Sequence, residues 1–130
     1  MSIVYRDFHK TFLIKMKVIG KKEKDYEALL DTGASQTCIP LEDCIDLGLT
    51  FLGTNLTRGL FGCVDLSVFV CQLEIAGKMI DARVLGLPNQ VVIGNEIVEI
   101  PLMAILGRDC LSNFKLILDW KSNPPNGMIG

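Results

Sequence analysis

Two stretches of this 130-residue chain hold residue types in an order that could do chemistry. In the first, Ala28-Leu29-Leu30 delivers a single acid, Asp31, straight into Thr32-Gly33-Ala34, with Ser35-Gln36-Thr37-Cys38-Ile39-Pro40 following. A carboxylate at the end of an apolar strand sits on rigid backbone, and a small residue beyond it leaves room for a substrate and a water. That is a setting for general acid and base work. Gly33 lets the backbone bend sharply beside the acid. The same residues also suit an ordinary strand-to-turn junction, in which Asp31 caps the turn.

The second stretch lies about seventy positions further on: Ala104-Ile105-Leu106-Gly107-Arg108-Asp109-Cys110-Leu111, then Asn113-Phe114-Lys115-Leu116-Ile117-Leu118-Asp119. An apolar strand entering Asp-Thr-Gly-Ala, a Thr three residues later, and then apolar-apolar-Gly-Arg-Asp-x-Leu resembles the retropepsins, the single-lobe aspartic proteases. The resemblance spans Leu13 to Asp119. Cys38-Ile39-Pro40 before an acidic short helix ending in Leu47-Gly48-Leu49, and the Phe114-Lys115 to Asp119 spacing, look closer to cellular and prokaryotic members than to retroviral ones.

The resemblance implies an all-β fold, a closed, barrel-like acid-protease lobe with one or two short helices. It makes Asp31 the catalytic acid/base. Thr32 would brace the site across a two-fold axis, Gly33 would present its carbonyl to a substrate peptide, and the small Ala34 counts with them as active-site support. Thr37, Leu106, Gly107 and Arg108 become structural supports. Gly59-Leu60-Phe61-Gly62 falls where the family has a glycine-rich flap, although an ordinary hairpin turn has the same composition. Retroviral members commonly carry an Asp after the Ala of the first motif, placed to pair with the Arg of the second. Here that place is Ser35, so Arg108 needs another partner. The ends of the chain also lack a recognisable pair of strands for interdigitating with a second copy.

Composition narrows the alternatives. With 49% hydrophobic residues, 130 positions suit one domain with a modest core, residues 1–130, and no second lobe. A net charge of −2 with mixed signs gives no nucleic-acid footprint. Arg6, Asp7, His9 and Lys10 interrupt the first ten residues, and no apolar run reaches membrane-spanning length. The expectation is a soluble, cytoplasmic protein without a membrane partner. Five cysteines without a CxxC pair suggest buried thiols; no metal or other cofactor is expected. His9, the one histidine, lies in a polar stretch, a poor place for a Ser/His or Cys/His pair.

The elements that must position the two motifs follow from periodicity. Phe12, Ile14, Met16 and Val18 alternate with polar or outward residues as in a half-buried strand, and Gly20 to Asp25 reads as a turn into a strand from Tyr26 to Leu30. Thr37 to Ile39 is a short strand. Pro40 then suits the first position of a helix with Leu41, Cys44 and Ile45 on its inner face, Glu42, Asp43 and Asp46 solvated, and Gly48 as its stop. Val64 to Val70 alternates as a strand, Ala76-Gly77-Lys78 turns into Met79 to Leu85, and Gly86 to Gln90 breaks the pattern. Residues 91–102 read as a hairpin excursion, longer than the family needs. Ile105-Leu106 is a strand, Arg108 to Phe114 a short helix with Cys110, Leu111 and Phe114 inward, and Lys115 to Leu118 a closing strand. Ser122 to Gly127 reads as irregular, making 121–130 a flexible tail in which Met128-Ile129 could pair only at the very end.

Aspartic proteolysis needs two carboxylates, and only one Asp-Thr-Gly is present, so the reading is an aspartic endopeptidase acting on peptides as a homodimer that shares two Asp31 side chains. The alternative is a catalytically silent module of the same fold that dimerises or binds peptides. Were the chemistry different, Cys38 or Cys63 would be the first nucleophiles to test.

Overall fold

The alternation at Phe12, Ile14, Met16 and Val18 produces strand β2 (Thr11–Ile19), with all four side chains buried. The computed structural model describes residues 2–6, 11–59 and 62–130. Around β2 the described elements run β1 (Ser2–Arg6), β3 (Glu23–Leu30), β4 (Cys38–Pro40), α1 (Leu41–Asp46), β5 (Thr50–Gly59), β6 (Gly62–Ile75) and β7 (Lys78–Leu87). They continue with β8 (Gln90–Ile93), β9 (Glu96–Glu99), β10 (Ile105–Leu106), α2 (Arg108–Leu111), β11 (Leu116–Asp119) and β12 (Asn126–Ile129). The protein is all-β with two short helices, as expected.

Strands β2, β3, β10, β4, β7 and β6 are neighbours in that order, and β6 returns to β2 through Lys17 to Glu74, Val18 to Leu73 and Ile19 to Gln72. The sheet therefore closes into a ring, which pairs edges that would otherwise stay open. Inside it Met16, Val18, Leu73, Ile75, Val84 and Leu106 are almost completely buried, each stabilising the fold by roughly 1.5–3 kcal/mol relative to an exposed position. Strand β5 extends the ring from β6, and β1, β12 and β11 extend it from β2. The β6–β7 turn has positive φ at both central residues, 52° at Ala76 and 74° at Gly77. That is the geometry whose twist matches a two-residue hairpin.

Several boundaries differ from the sequence reading. Pro40 ends β4 with extended backbone, and the helix starts at Leu41. Ile45, expected inside, is 65% exposed, and Leu47 takes the buried place beside Cys44. Asp43 is not merely solvated: it accepts hydrogen bonds from the Tyr26 hydroxyl at 2.5 Å and the Lys24 amine at 3.0 Å, tying α1 to β3. Gly86 and Leu87 do not break the pattern but finish β7, in parallel register with Ile39 and Pro40. At Gly86 a Cβ would lie 2.8 Å from Leu41 Cδ1 and 3.1 Å from Phe69 Cε2, so glycine lets both side chains pack close to β7. The expected turn over Gly20 to Asp25 is shorter, since β3 already starts at Glu23, and the second helix ends at Leu111. The excursion over residues 91–102 contains the β8–β9 hairpin, a separate two-stranded sheet.

The expected flexible tail is the largest correction. Strand β12 lies between β11 and β1, pairing Ile117 with Met128 and Ile3 with Gly127. Ile129 is 1% exposed, and Lys115 and Gly130 exchange backbone hydrogen bonds at 2.7 and 3.0 Å. Gly127, expected in an irregular tail, serves close packing: a Cβ would meet the Ile117 carbonyl and Leu118 Cδ2 at 3.0 Å.

Candidate active site

The two chemical motifs meet because β10, only two residues long, is inserted between β3 and β4. Ile105 and Leu106 run parallel to Leu29 and Leu30, and Ile105 also faces Cys38. The hydrogen-bond ladder continues one step past the strand, the Asp31 N–H donating to the Leu106 carbonyl at 3.1 Å. This fixes the backbone of the acid from behind.

In front, the chain turns at once. The Ala34 N–H donates to the Asp31 carbonyl at 3.2 Å, and the Gly33 N–H donates to Asp31 Oδ1 at 2.9 Å. A Cβ on Gly33 would stand 3.2 Å from that same oxygen, so glycine allows the close approach. Asp31 is half-buried, while Thr32, Gly33 and Ser35 are exposed. One carboxylate oxygen is thus engaged by its own turn, which presets the side chain's direction.

Arg108 finds its partner in backbone instead of an acid. Its Nη1 donates to the Thr32 carbonyl at 3.1 Å and reaches the Gly33 carbonyl at 3.5 Å. Its N–H donates to the Ala34 carbonyl at 2.8 Å, and the next N–H, of Asp109, to the Ser35 carbonyl at 3.3 Å. Ser35 therefore contributes through its main chain, and the second motif grips the Asp31 turn along four consecutive carbonyls.

Thr37 is fully buried and joins the motifs through its hydroxyl, which donates to Asp109 Oδ1 at 2.8 Å and accepts from the Gly107 N–H at 3.1 Å. Its own N–H donates to Asp109 Oδ2 at 3.2 Å. Gly107 has no room for a side chain, since a Cβ would lie 2.6 Å from the Gln36 carbonyl carbon and oxygen. Leu106 fills the core behind it. Asp109 was missed as a site residue. No local pattern marks it, since its partner Thr37 lies 72 positions away in the chain.

The β5–β6 arm also reaches the site, Asn55 Nδ2 donating to Gln36 Oε1 at 3.4 Å. The arm's last described pair is Gly59 with Gly62. Leu60 and Phe61, expected at the tip of a flap, lie outside the described residues, as does His9. A cleft of about 760 Å³ opens beside the turn, with Ser35, Gln36 and Asn55 in its wall; Asp31 is not part of that wall.

Four of the five thiols are held in their protonated form. Burial, reinforced by the Asp109 and Asp31 carboxylates, pushes Cys38 up to about 11, and burial likewise lifts Cys110 to about 11 and Cys44 and Cys71 to about 12. These groups hold their protons at neutral pH. Cys63, expected to be buried, is exposed on β6, and Cys38 is only half-buried. Among the described residues no group of three or more His, Cys, Asp or Glu side chains is arranged to hold a metal ion, and no helix is long and apolar enough to cross a membrane.

No protein-family model matches the sequence, and no curated protein matches it. Solved structures do. The chain is similar to a retropepsin-like aspartic protease from Rickettsia conorii, with a TM-score of 0.61 and 19% identity over 99% of this chain and 89% of that one. It is also similar to an inhibitor-bound EIAV protease, with a TM-score of 0.62 and 21% identity over 85% and 93%. A simian foamy virus protease gives 0.54 and 19% over 77% and 91%. The fold is retropepsin-like, as the two motifs implied.

Proposed function

We propose that the chain is an aspartic endopeptidase whose working site is assembled from two copies, each supplying Asp31. The observation that carries this reading is the way Asp31 is held. Its backbone is fixed by Leu106, one carboxylate oxygen by the Gly33 N–H, and its turn by Arg108. A side chain needed only as a turn cap would not need its turn clamped from a motif about seventy residues away.

Two such carboxylates brought together cannot both ionise easily, so they share a proton. The ionised one takes a proton from a water, which attacks the scissile carbonyl carbon. The protonated one donates to the carbonyl oxygen as the tetrahedral intermediate forms. The carboxyl that took the water proton gives it to the leaving nitrogen while a gem-diol hydroxyl returns a proton to the other carboxylate, which breaks the C–N bond and regenerates the shared state. Thr32 braces the paired turns across the two-fold, and the Gly33 carbonyl, only distantly reached by Arg108, accepts from the substrate backbone. The β5–β6 arm closes over the peptide as a flap, with Gly59 and Gly62 at its hinge.

The test is incubation of purified protein with unfolded β-casein from acid to neutral pH beside Asp31→Asn. The wild type is expected to cut the casein. The variant, whose amide oxygen can still accept from the Gly33 N–H, is expected to fold and not to cut. Cleavage by folded, contaminant-free Asp31→Asn protein would overturn the assignment.

A further inference from the structure

Strand β7 is paired on one side along its whole length but on the other side only at its end. It faces β6 from Lys78 to Gly86, whereas β4 meets it only at Leu85 to Leu87. The Leu85 N–H donates to the Thr37 carbonyl at 3.0 Å, so at Leu85 the backbone groups point toward the β4 side. Alternation along a strand points those of Arg83 and Asp81 the same way. Among the described residues nothing pairs with them there. Two N–H and two C=O groups thus form an open strand edge within the ring itself.

That edge is one wall of the 760 Å³ cleft, which Asp81 to Leu85 line together with Asp109, Cys110 and Asn113 from α2 and the turn after it. Beyond Asp81 the Lys78 amine crosses to the Asn113 carbonyl at 3.1 Å, bridging the two walls. At the other end the cleft is bounded by Ser35 and Gln36 and by Asn55 of the β5 arm. Ser35 and Gln36 follow the Asp31 turn directly in the chain, so the cleft opens beside that turn.

We infer that the β7 edge is an accessory docking site for substrate: an extended stretch of the polypeptide, several residues from the bond to be cut, adds to β7 as a strand at Asp81 and Arg83. The inference rests on the endopeptidase reading. Edge addition recognises backbone, so the site takes unfolded segments with little demand on sequence. It would favour long, disordered substrates over short peptides.

Arg83→Pro separates this role from folding, because the lost N–H points into the cleft and not toward β6, the position at which a strand tolerates proline. Arg83→Ala keeps the N–H and is the control. Asn113→Trp fills the cleft from the opposite, exposed wall and leaves β7 untouched. The probe is fluorescein-labelled unfolded β-casein, its binding followed by anisotropy with each change on an Asp31→Asn background. Arg83→Pro and Asn113→Trp are each expected to weaken binding at least about fivefold, the effect of losing one backbone hydrogen bond, with Arg83→Ala near the parent. Equal affinity in all four proteins, or no measurable binding by the parent, would overturn the docking site. If Arg83→Pro fails to fold, Asn113→Trp alone decides. Failure of the wild type to cut casein would refute the endopeptidase reading by itself, and the binding comparison would still be read on its own.

Discussion

The Thr37 hydroxyl donates to Asp109 Oδ1 at 2.8 Å while accepting from the Gly107 N–H at 3.1 Å, so one buried oxygen joins the two motifs that frame Asp31. Thr37→Val keeps the shape and removes both bonds. It strands the Gly107 N–H and deprives a carboxylate of a donor, with an expected cost of about 2–4 kcal/mol. Thr37→Ser retains the hydroxyl and should cost under about 1.5 kcal/mol. Urea midpoints of the three proteins check this, and a Thr37→Val loss under about 0.5 kcal/mol would contradict it.

The sequence was most informative where chemistry and periodicity coincided. The two motifs around Asp31 and Gly107 stand out in residue order, and the structure brings them together, while β2 follows from its alternation. What escaped depended on contacts between distant segments. Asp109 matters through a partner 72 positions away. Gly86 and Gly127 looked like breaks in regular structure, but their use is to let Leu41 and Ile117 come close. Asn126 to Ile129 has little strand propensity, and its place between β11 and β1 is fixed by backbone pairing and the burial of Ile129, which local composition cannot express.

Alkaline pH should destabilise the fold through its thiols. Burial raises Cys44 and Cys71 from 9.0 to about 12 and Cys38 and Cys110 to about 11. Above pH 9 the unfolded chain has released these protons and the folded chain has not. The stability contribution is therefore complete below pH 9 and is lost as pH rises toward 11–12. In reducing buffer the urea midpoint should fall from pH 8 to pH 10.5, and fall less steeply in Cys71→Ala. A midpoint constant over that range would refute the coupling.

The flap assignment predicts that stiffening the β5–β6 arm slows turnover. Gly62 closes the arm's last described pair with Gly59, and Gly62→Val restricts that hinge. Catalytic efficiency should fall at least about tenfold while the urea midpoint stays within about 0.5 kcal/mol of the parent. Unchanged cleavage of casein would remove the flap role from this arm.

Sharing of the site between two chains is tested by adding inactive protein to active protein. The chain carries one Asp-Thr-Gly, so a dimer of wild type with Asp31→Asn holds a single ionisable carboxylate and cannot share a proton between two. With random pairing, an equal amount of Asp31→Asn should leave about half the original activity, and a ninefold excess about a tenth. A protein working as an independent monomer would be indifferent to the addition. The titration needs excess substrate and time for exchange, with mixed dimers verified using two affinity tags. Under those conditions, activity that stays level across the titration excludes a shared pair of Asp31 carboxylates.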